Sequence, residues 1–181
     1  AAEEKGQLQT PRWRGKRSAV TLAKYLQSHL HQKLTLVGPL LEQVRTFSNT
    51  PLVFIDGGSH FRKGSEGFSV GDGDSFSKKL DETLPQEKDF SDLAYVLDQA
   101  DGFTEIEAWG FWGGRKDHEL ANLGEFHRFL QRQPNARLDL PPHAKGFSAG
   151  EWELELQGLF SILTLEPSEI NITGAAKYPV S

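Results

Sequence analysis

Short unbroken apolar runs alternate along this chain with stretches in which apolar residues recur every three or four positions. The first pattern belongs to strands buried on both faces, the second to helices with one buried side. Ala19, Leu22, Leu26 and Leu30 keep helical spacing after Ser18, a suitable N-cap. "LTLVGP" (34–39) reads as a buried strand closed by Gly-Pro, "LLEQVRTF" (40–47) as a helix, and "PLVFIDGG" (51–58) as a second strand. "GFSVGDGDS" (67–75) is a third strand running into an acidic turn. "DFSDLAYVLDQ" (89–99) is a helix with Phe90, Leu93, Ala94 and Leu97 on one face. "EIEAWGF" is a further strand, and "HELANLGEFHRFLQ" a helix with Leu120, Leu123, His127 and Leu130 along one side.

Strands alternating with helices predict an α/β fold with a mostly parallel sheet flanked by helices, over residues 33–135. Residues 1–32 read as an N-terminal extension carrying an amphipathic helix. Residues 131–150 are rich in Pro, Gly and polar side chains and read as a domain boundary. Beyond them "EWELELQG" alternates Trp152, Leu154 and Leu156 with glutamates, and "LFSILTLE" and "EINITGAAKYPV" read as strands. Residues 140–181 are thus expected to form a small antiparallel β domain.

Composition narrows the chemistry. The 181 residues are 37% hydrophobic and 25% charged, which suits a packed core, and the absence of cysteine excludes disulfides and thiolate metal sites. A net charge of −5 argues against a broad nucleic-acid surface. The small basic cluster of Arg12, Arg14, Lys16 and Arg17 around Trp13 reads as a solvated arm. No apolar run approaches the roughly 18–20 residues that span a bilayer, and no signal peptide is visible at the first residues. The expectation is a soluble cytoplasmic protein with neither membrane nor nucleic acid as partner.

Four segments place acidic or glycine residues where a strand ends or a helix begins: "DGG" (56–58), "GDGDS" (71–75), "KDFSD" (88–92) and "GGRKDH" (113–118). In open parallel sheets the carboxyl ends of the strands form the ligand crevice, and helix N-termini seat phosphate. Converging carboxylates repel one another by up to about 4 kcal/mol per pair near 4 Å, so a divalent cation is needed among them. Oxygen-only ligands suit Mg²⁺, and Arg115 offers a fork matched to phosphate oxygens. These residue types suggest a Mg-nucleotide site for phosphoryl chemistry. Each segment alone has an ordinary reading: Asp89 and Asp92 as helix-start acids, Asp72-Gly73-Asp74 as a turn, His118 as a capping histidine. Neither a P-loop nor the common zinc-protease and esterase motifs occur.

The ordered series D-G-G (56–58), G-D-G-D-S (71–75), D-F-S-D-L (89–93) and G-x-x-G-G-R-x-D-H-x-L-x-N (110–122) closely resembles thiamine pyrophosphokinase. The resemblance runs from about Leu34 to Leu130 and continues weakly through "GLFSILTLEPSEINITGAAKYPV". It implies a Rossmann-like catalytic domain followed by a β-sandwich, a homodimer, and transfer of pyrophosphoryl from ATP to the hydroxyethyl group of thiamine with Mg²⁺. By the same resemblance Asp72, Asp74 and Asp92 hold the metal and the triphosphate. Gly57, Ser75, Ser91, Gly113, Gly114, Arg115 and His118 contact the nucleotide, and Lys88, at a position where this chain departs from the family, could add a phosphate contact or alter the register. Asp56 and Asp117 line the cleft near the acceptor hydroxyl, and either could orient it or accept its proton.

Two departures stand out: Gly73 replaces a bulky residue between the two aspartates, and Lys88 and Ser91 replace the family's glutamine and threonine. Two other readings of the same site are a pyrophosphokinase for another hydroxyalkyl heterocycle, such as a hydroxymethylpterin, and a non-catalytic nucleotide-binding module.

Overall fold

The computed structural model describes residues 20–30, 33–43, 46–47, 51–64, 66–75, 79–156 and 158–174. Among them seven strands build one sheet in the order β4-β3-β2-β1-β5-β6-β7. These are β1 (Leu34–Val37), β2 (Leu52–Ile55), β3 (Phe68–Gly71), β4 (Glu82–Thr83), β5 (Glu105–Trp109), β6 (Arg137–Leu140) and β7 (Ala144–Phe147). All neighbours pair in parallel except β7, which is antiparallel to β6. Every residue of β1, β2 and β3 is buried, which is why they read as unbroken apolar runs.

Helices α1 (Leu22–Gln27), α2 (Asp92–Gln99) and α3 (Lys116–Arg132) share one face of the sheet. Leu26, Leu93, Val96, Leu97, Phe126 and Phe129 join the alternate strand residues Leu36, Val53, Ile55, Val70 and Ile106 in a single core. The opposite face is smaller: Val37, Leu41, Leu52 and Phe54, packed with Phe47, Phe61 and Trp109. The helix expected over 40–47 is not formed among the described residues there. Instead the backbone after β1 bonds to the end of β5, Gly38 N–H to the Trp109 carbonyl at 2.7 Å and Leu40 N–H to the Gly110 carbonyl at 3.0 Å. Those donors hold the segment in an open turn.

The N-terminal helix is not an appendage. Ser18 and Ala19 lie outside the described residues, and the cap is Thr21, whose hydroxyl accepts from Lys24 N–H. Leu22 and Leu26 are wholly buried. The Tyr25 hydroxyl accepts from Leu52 N–H at 3.0 Å, and Glu82 accepts from Leu22 N–H at 2.7 Å and from the Tyr95 hydroxyl at 2.5 Å. These bonds tie α1 to β2, β4 and α2.

Two further readings change. The supposed boundary at 131–150 carries β6 and β7, so the sheet extends through Phe147. Its Pro, Gly and polar residues mark tight connections between short strands, and Ser148 closes the end by bonding both backbone groups of Ala136 at 2.9 Å. The strands expected beyond Gly150 are not formed among the described residues up to Gly174. Alternation gives a segment two faces, yet a strand also needs a ladder partner. Here Leu159 is 98% exposed, and the tail touches the body through Trp152 on the Ser148 carbonyl and Glu166 near His127.

On α3 the buried residues are Glu119, Phe126 and Phe129, whereas Leu120 is 68% exposed. The aromatic pair, with more area to bury, takes the core side. Among the described residues no helix is long and apolar enough to cross a membrane.

Leu26→Ala is expected to cost about 2–5 kcal/mol in urea unfolding, as for a buried leucine. A detachable helix would show a loss of only about 0.5 kcal/mol.

Candidate metal and phosphate site

The chain runs from β1 outward through β2, β3 and β4, then returns to place β5 on the other side of β1. The carboxyl ends of β1 and β5 therefore flank the point where strand order reverses, the expected crevice of an open parallel sheet. The sequence-predicted residues fall into two groups on either side of the Gly38-Pro39-Leu40 turn.

The first group is acidic. Asp56 follows β2 and opens a 3-10 helix over Asp56–Phe61, with a backbone φ of 48° that few residues other than glycine adopt. Asp72 and Asp74 follow β3, and Asp92 lies in the first turn of α2. Carboxylate oxygens of Asp56, Asp72 and Asp74 all lie within 4.8 Å of one another. Gly71 makes the gathering possible: a Cβ there would stand 2.9 Å from Asp56 Cα and 3.3 Å from an Asp92 oxygen.

Asp92 belongs to the neighbourhood but not to that trio. Its Oδ1 lies 3.0 Å from Lys88 Nζ, which also donates to Asp72 Oδ2 at 3.0 Å. Lys88, expected to contact the nucleotide, here spans two carboxylates with its side chain 8% exposed.

The local hydrogen bonds are short-range. Asp72 Oδ1 accepts from Asp74 N–H at 3.2 Å, and the Ser75 hydroxyl donates to Asp74 Oδ1 at 2.7 Å. A ring nitrogen of His60, which the sequence reading did not single out, lies 2.9 Å from the Ser75 carbonyl. Gly57 approaches Pro39 on one side and Ser75 on the other. Ser91 is the N-cap of α2, its hydroxyl accepting from Ala94 N–H at 3.0 Å.

Electrostatics separate these carboxylates. Burial raises the Asp56 carboxyl above its ordinary value, with the charges of Asp74 and Asp92 adding to the rise. Burial likewise raises Asp92, against the opposing pull of Lys88. Burial would raise Asp72 too, but the Lys88 and Asp74 hydrogen bonds outweigh it and hold that carboxyl below its ordinary value. Asp56 Oδ1 is buried with no hydrogen-bond partner. A carboxylate oxygen buried without a donor, on a residue gathered with two other carboxylates, fits a hard divalent cation better than it fits any neutral donor.

The second group is the β5–α3 loop. Gly110 has φ 76°, and a Cβ there would fall 2.5 Å from Leu41 N, so only glycine lets the loop leave β5 beside the β1 turn. Glu119, buried on α3, accepts from Gly113 N–H at 3.1 Å and from Lys116 at 2.6 Å, while Asn122 donates to the Phe111 carbonyl at 3.1 Å. Glu119 and Asn122 were not among the predicted site residues, although their places in the first and second turns of the helix after the glycines were visible in the sequence. Gly114 rests against Leu40.

Arg115 and Asp117 form a forked pair at 3.1 and 2.5 Å, both side chains exposed, and His118 is exposed beside them. The hydrogen bond to Arg115 holds the Asp117 carboxyl below its ordinary value. The expected roles thus divide in space. The acids meet around Gly71, and the guanidinium stands at the start of α3 across the β1 turn.

With this geometry in view, the chain is similar to solved structures named as thiamine pyrophosphokinases. That from Bacillus subtilis is 23% identical, with 60% of each chain covered and a TM-score of 0.49. That from Geobacillus thermodenitrificans is 26% identical over 58% of each chain, with a TM-score of 0.44. A probable thiamine pyrophosphokinase from Staphylococcus saprophyticus is 24% identical over 60% of each chain, with a TM-score of 0.43. The chain spans about 60% of the length of these structures. No family model matches the chain, and no curated protein matches it.

Asp56→Asn is expected to raise the thermal midpoint of the metal-free protein at neutral pH. A raised carboxyl disfavours its charged form in the fold, so the cost is present above the folded pKa and absent below the unfolded value near 3.8. A gain on the order of 1 kcal/mol is about 2–4 °C in a domain of this size, and it should fade as pH falls toward 4. A variant less stable than the parent at pH 7 would contradict the buried-charge reading.

Proposed function

We propose that this protein transfers the pyrophosphoryl group of ATP to the hydroxyethyl group of thiamine, giving thiamine diphosphate and AMP. The observation that carries the reading is the gathering of Asp56, Asp72 and Asp74 at the carboxyl edge of a parallel sheet, beside a glycine-rich loop ending in Arg115. The motif series that resembles thiamine pyrophosphokinase supplies the reaction.

In this reading Asp56, Asp72 and Asp74 hold Mg²⁺, which would neutralise charge on the triphosphate. Ser75 and Ser91 stand near it as hydroxyl donors, and Gly57 and Gly113-Gly114 keep the backbone low around it. Arg115 and His118 clamp the polyphosphate from the other side of the β1 turn. Arg115 then exchanges part of its pairing with Asp117 for phosphate oxygens. That exchange is inexpensive, because an exposed ion pair contributes little.

The acceptor hydroxyl oxygen forms a bond to the β-phosphorus. The bond from that phosphorus to the α–β bridging oxygen breaks, and AMP departs with the bridging oxygen. The hydroxyl proton passes to a carboxylate, either Asp117 or the Asp56 oxygen that is not on the metal, the two residues that the resemblance assigns near the acceptor. Charge spreads over oxygens throughout, so positioning and electrostatic stabilisation supply most of the rate. A homodimer and a cytoplasmic setting belong to the same reading.

Incubation with ATP, Mg²⁺ and thiamine should yield AMP and thiamine diphosphate in equal amounts. AMP formed only with a hydroxymethylpterin would reassign the acceptor, and no AMP with either alcohol would refute the catalytic reading. Asp74→Asn should lower turnover by at least about 100-fold with the fold intact by circular dichroism. Near-parental turnover would remove Asp74 from the metal site.

A further inference from the structure

Lys88 holds an unusual position for a lysine. Its ammonium lies 3.0 Å from an oxygen of Asp72 and 3.0 Å from an oxygen of Asp92, and all three side chains are largely shielded from water. Lysines are seldom buried unless paired, and this one is paired twice. The pair it joins comes from separate elements, the end of β3 and the first turn of α2, and among the described residues Lys88 is the cation that reaches the buried Asp92 Oδ1.

Three other facts bear on what that charge does. Asp56, Asp72 and Asp74 form a compact oxygen trio without Asp92. Asp56 Oδ1 and Asp92 Oδ1 are both buried without a hydrogen-bond partner. The Lys88 ammonium lies 3.0 Å from Asp92 Oδ1, but no ion pair reaches Asp56 among the described residues, so the position at Asp56 still calls for a cation. The Asp72–Asp92 gap does not, because Lys88 already fills it.

We infer that Lys88 is a resident cation that takes the place of a second metal ion, so that the site admits one divalent cation, at Asp56, Asp72 and Asp74. This rests on the metal role proposed above for that trio. Asp72 is shared: one oxygen serves the ammonium, and the carboxylate as a whole ties the fixed charge to the exchangeable one. The ammonium sits between β3 and α2 whether or not metal is bound. It therefore keeps Asp92 facing the trio and presets the positive field that a polyphosphate would meet.

Manganese titration of the full chain, following free Mn²⁺ by electron paramagnetic resonance, tests the idea without reference to catalysis. The parent protein is expected to bind one Mn²⁺ per chain. Lys88→Gln should bind two, the second between Asp72 and Asp92, and Lys88→Arg should bind one. The double variant Lys88→Gln/Asp92→Asn has no stranded charge pair to destabilise it and should return to one. In metal-free buffer Lys88→Gln should melt about 2–4 °C below the parent and recover when Mn²⁺ is added. Two ions in the parent, or one in Lys88→Gln, would overturn the resident-cation role while leaving the trio as a metal site. No ion bound by any variant would overturn both.

Discussion

Carboxylates carried to one edge by different elements repel each other, and the architecture around the sheet's carboxyl ends is arranged to hold them there. Asp56 arrives on the end of β2, Asp72 and Asp74 on the end of β3, and Asp92 on the first turn of α2. At an effective dielectric near 20, two such charges about 4 Å apart oppose each other by up to about 4 kcal/mol. Lys88 offsets the Asp72–Asp92 part of this repulsion. The α2 N-terminus offers Asp92 a favourable dipole end. Asp56 remains: a carboxyl raised by burial, an oxygen without a donor, and a backbone in the left-handed region. Strain and unsatisfied polarity kept together are characteristic of sites built for a ligand.

The rest of the fold makes that arrangement rigid. Parallel strands buried on every residue fix where β2 and β3 end to within a residue of register. Gly71 removes the one side chain that would push Asp56 and Asp92 apart. Arg62 does comparable service at the other end of β3, bonding Ser69, Asp81 and the Gly67 carbonyl. On the far side of the β1 turn, Glu119 and Asn122 reach back from α3 to pin the glycine loop. The loop is thus held by side chains of the helix that follows it, and Arg115 is left exposed at its tip. An acidic edge on one side of the β1 turn and an exposed guanidinium, paired with Asp117, on the other are the two features on which the proposed polyphosphate reading rests.

Much of this is legible in the amino-acid sequence alone. Unbroken apolar runs located β1, β2 and β3, helical spacing located α2 and α3, and strand–helix alternation required a parallel sheet. The punctuating Asp and Gly residues then had to fall at its carboxyl edge. Periodicity reports how much of a segment is buried, but not against what. It therefore assigned α1 to an extension although Leu22 and Leu26 belong to the core, and it took the Pro- and Gly-rich stretch around β6 and β7 for a boundary. It also gave strands to a tail that finds no ladder partner among the described residues, and lined one side of α3 with Leu120, which is exposed, while Phe126 and Phe129 are the residues that reach the core.

The site divides along the same line. Residue chemistry alone named the acids, the glycines and the arginine, because carboxylates, bare backbone and a forked cation are properties of single positions. Which of them share a cation is a property of distances between elements far apart in the chain. Folding put Asp56 into the trio, turned Lys88 toward Asp72 and Asp92, and set Arg115 against Asp117. Pairwise electrostatics depends on separation in space, and separation in space is fixed only when the sheet closes its register.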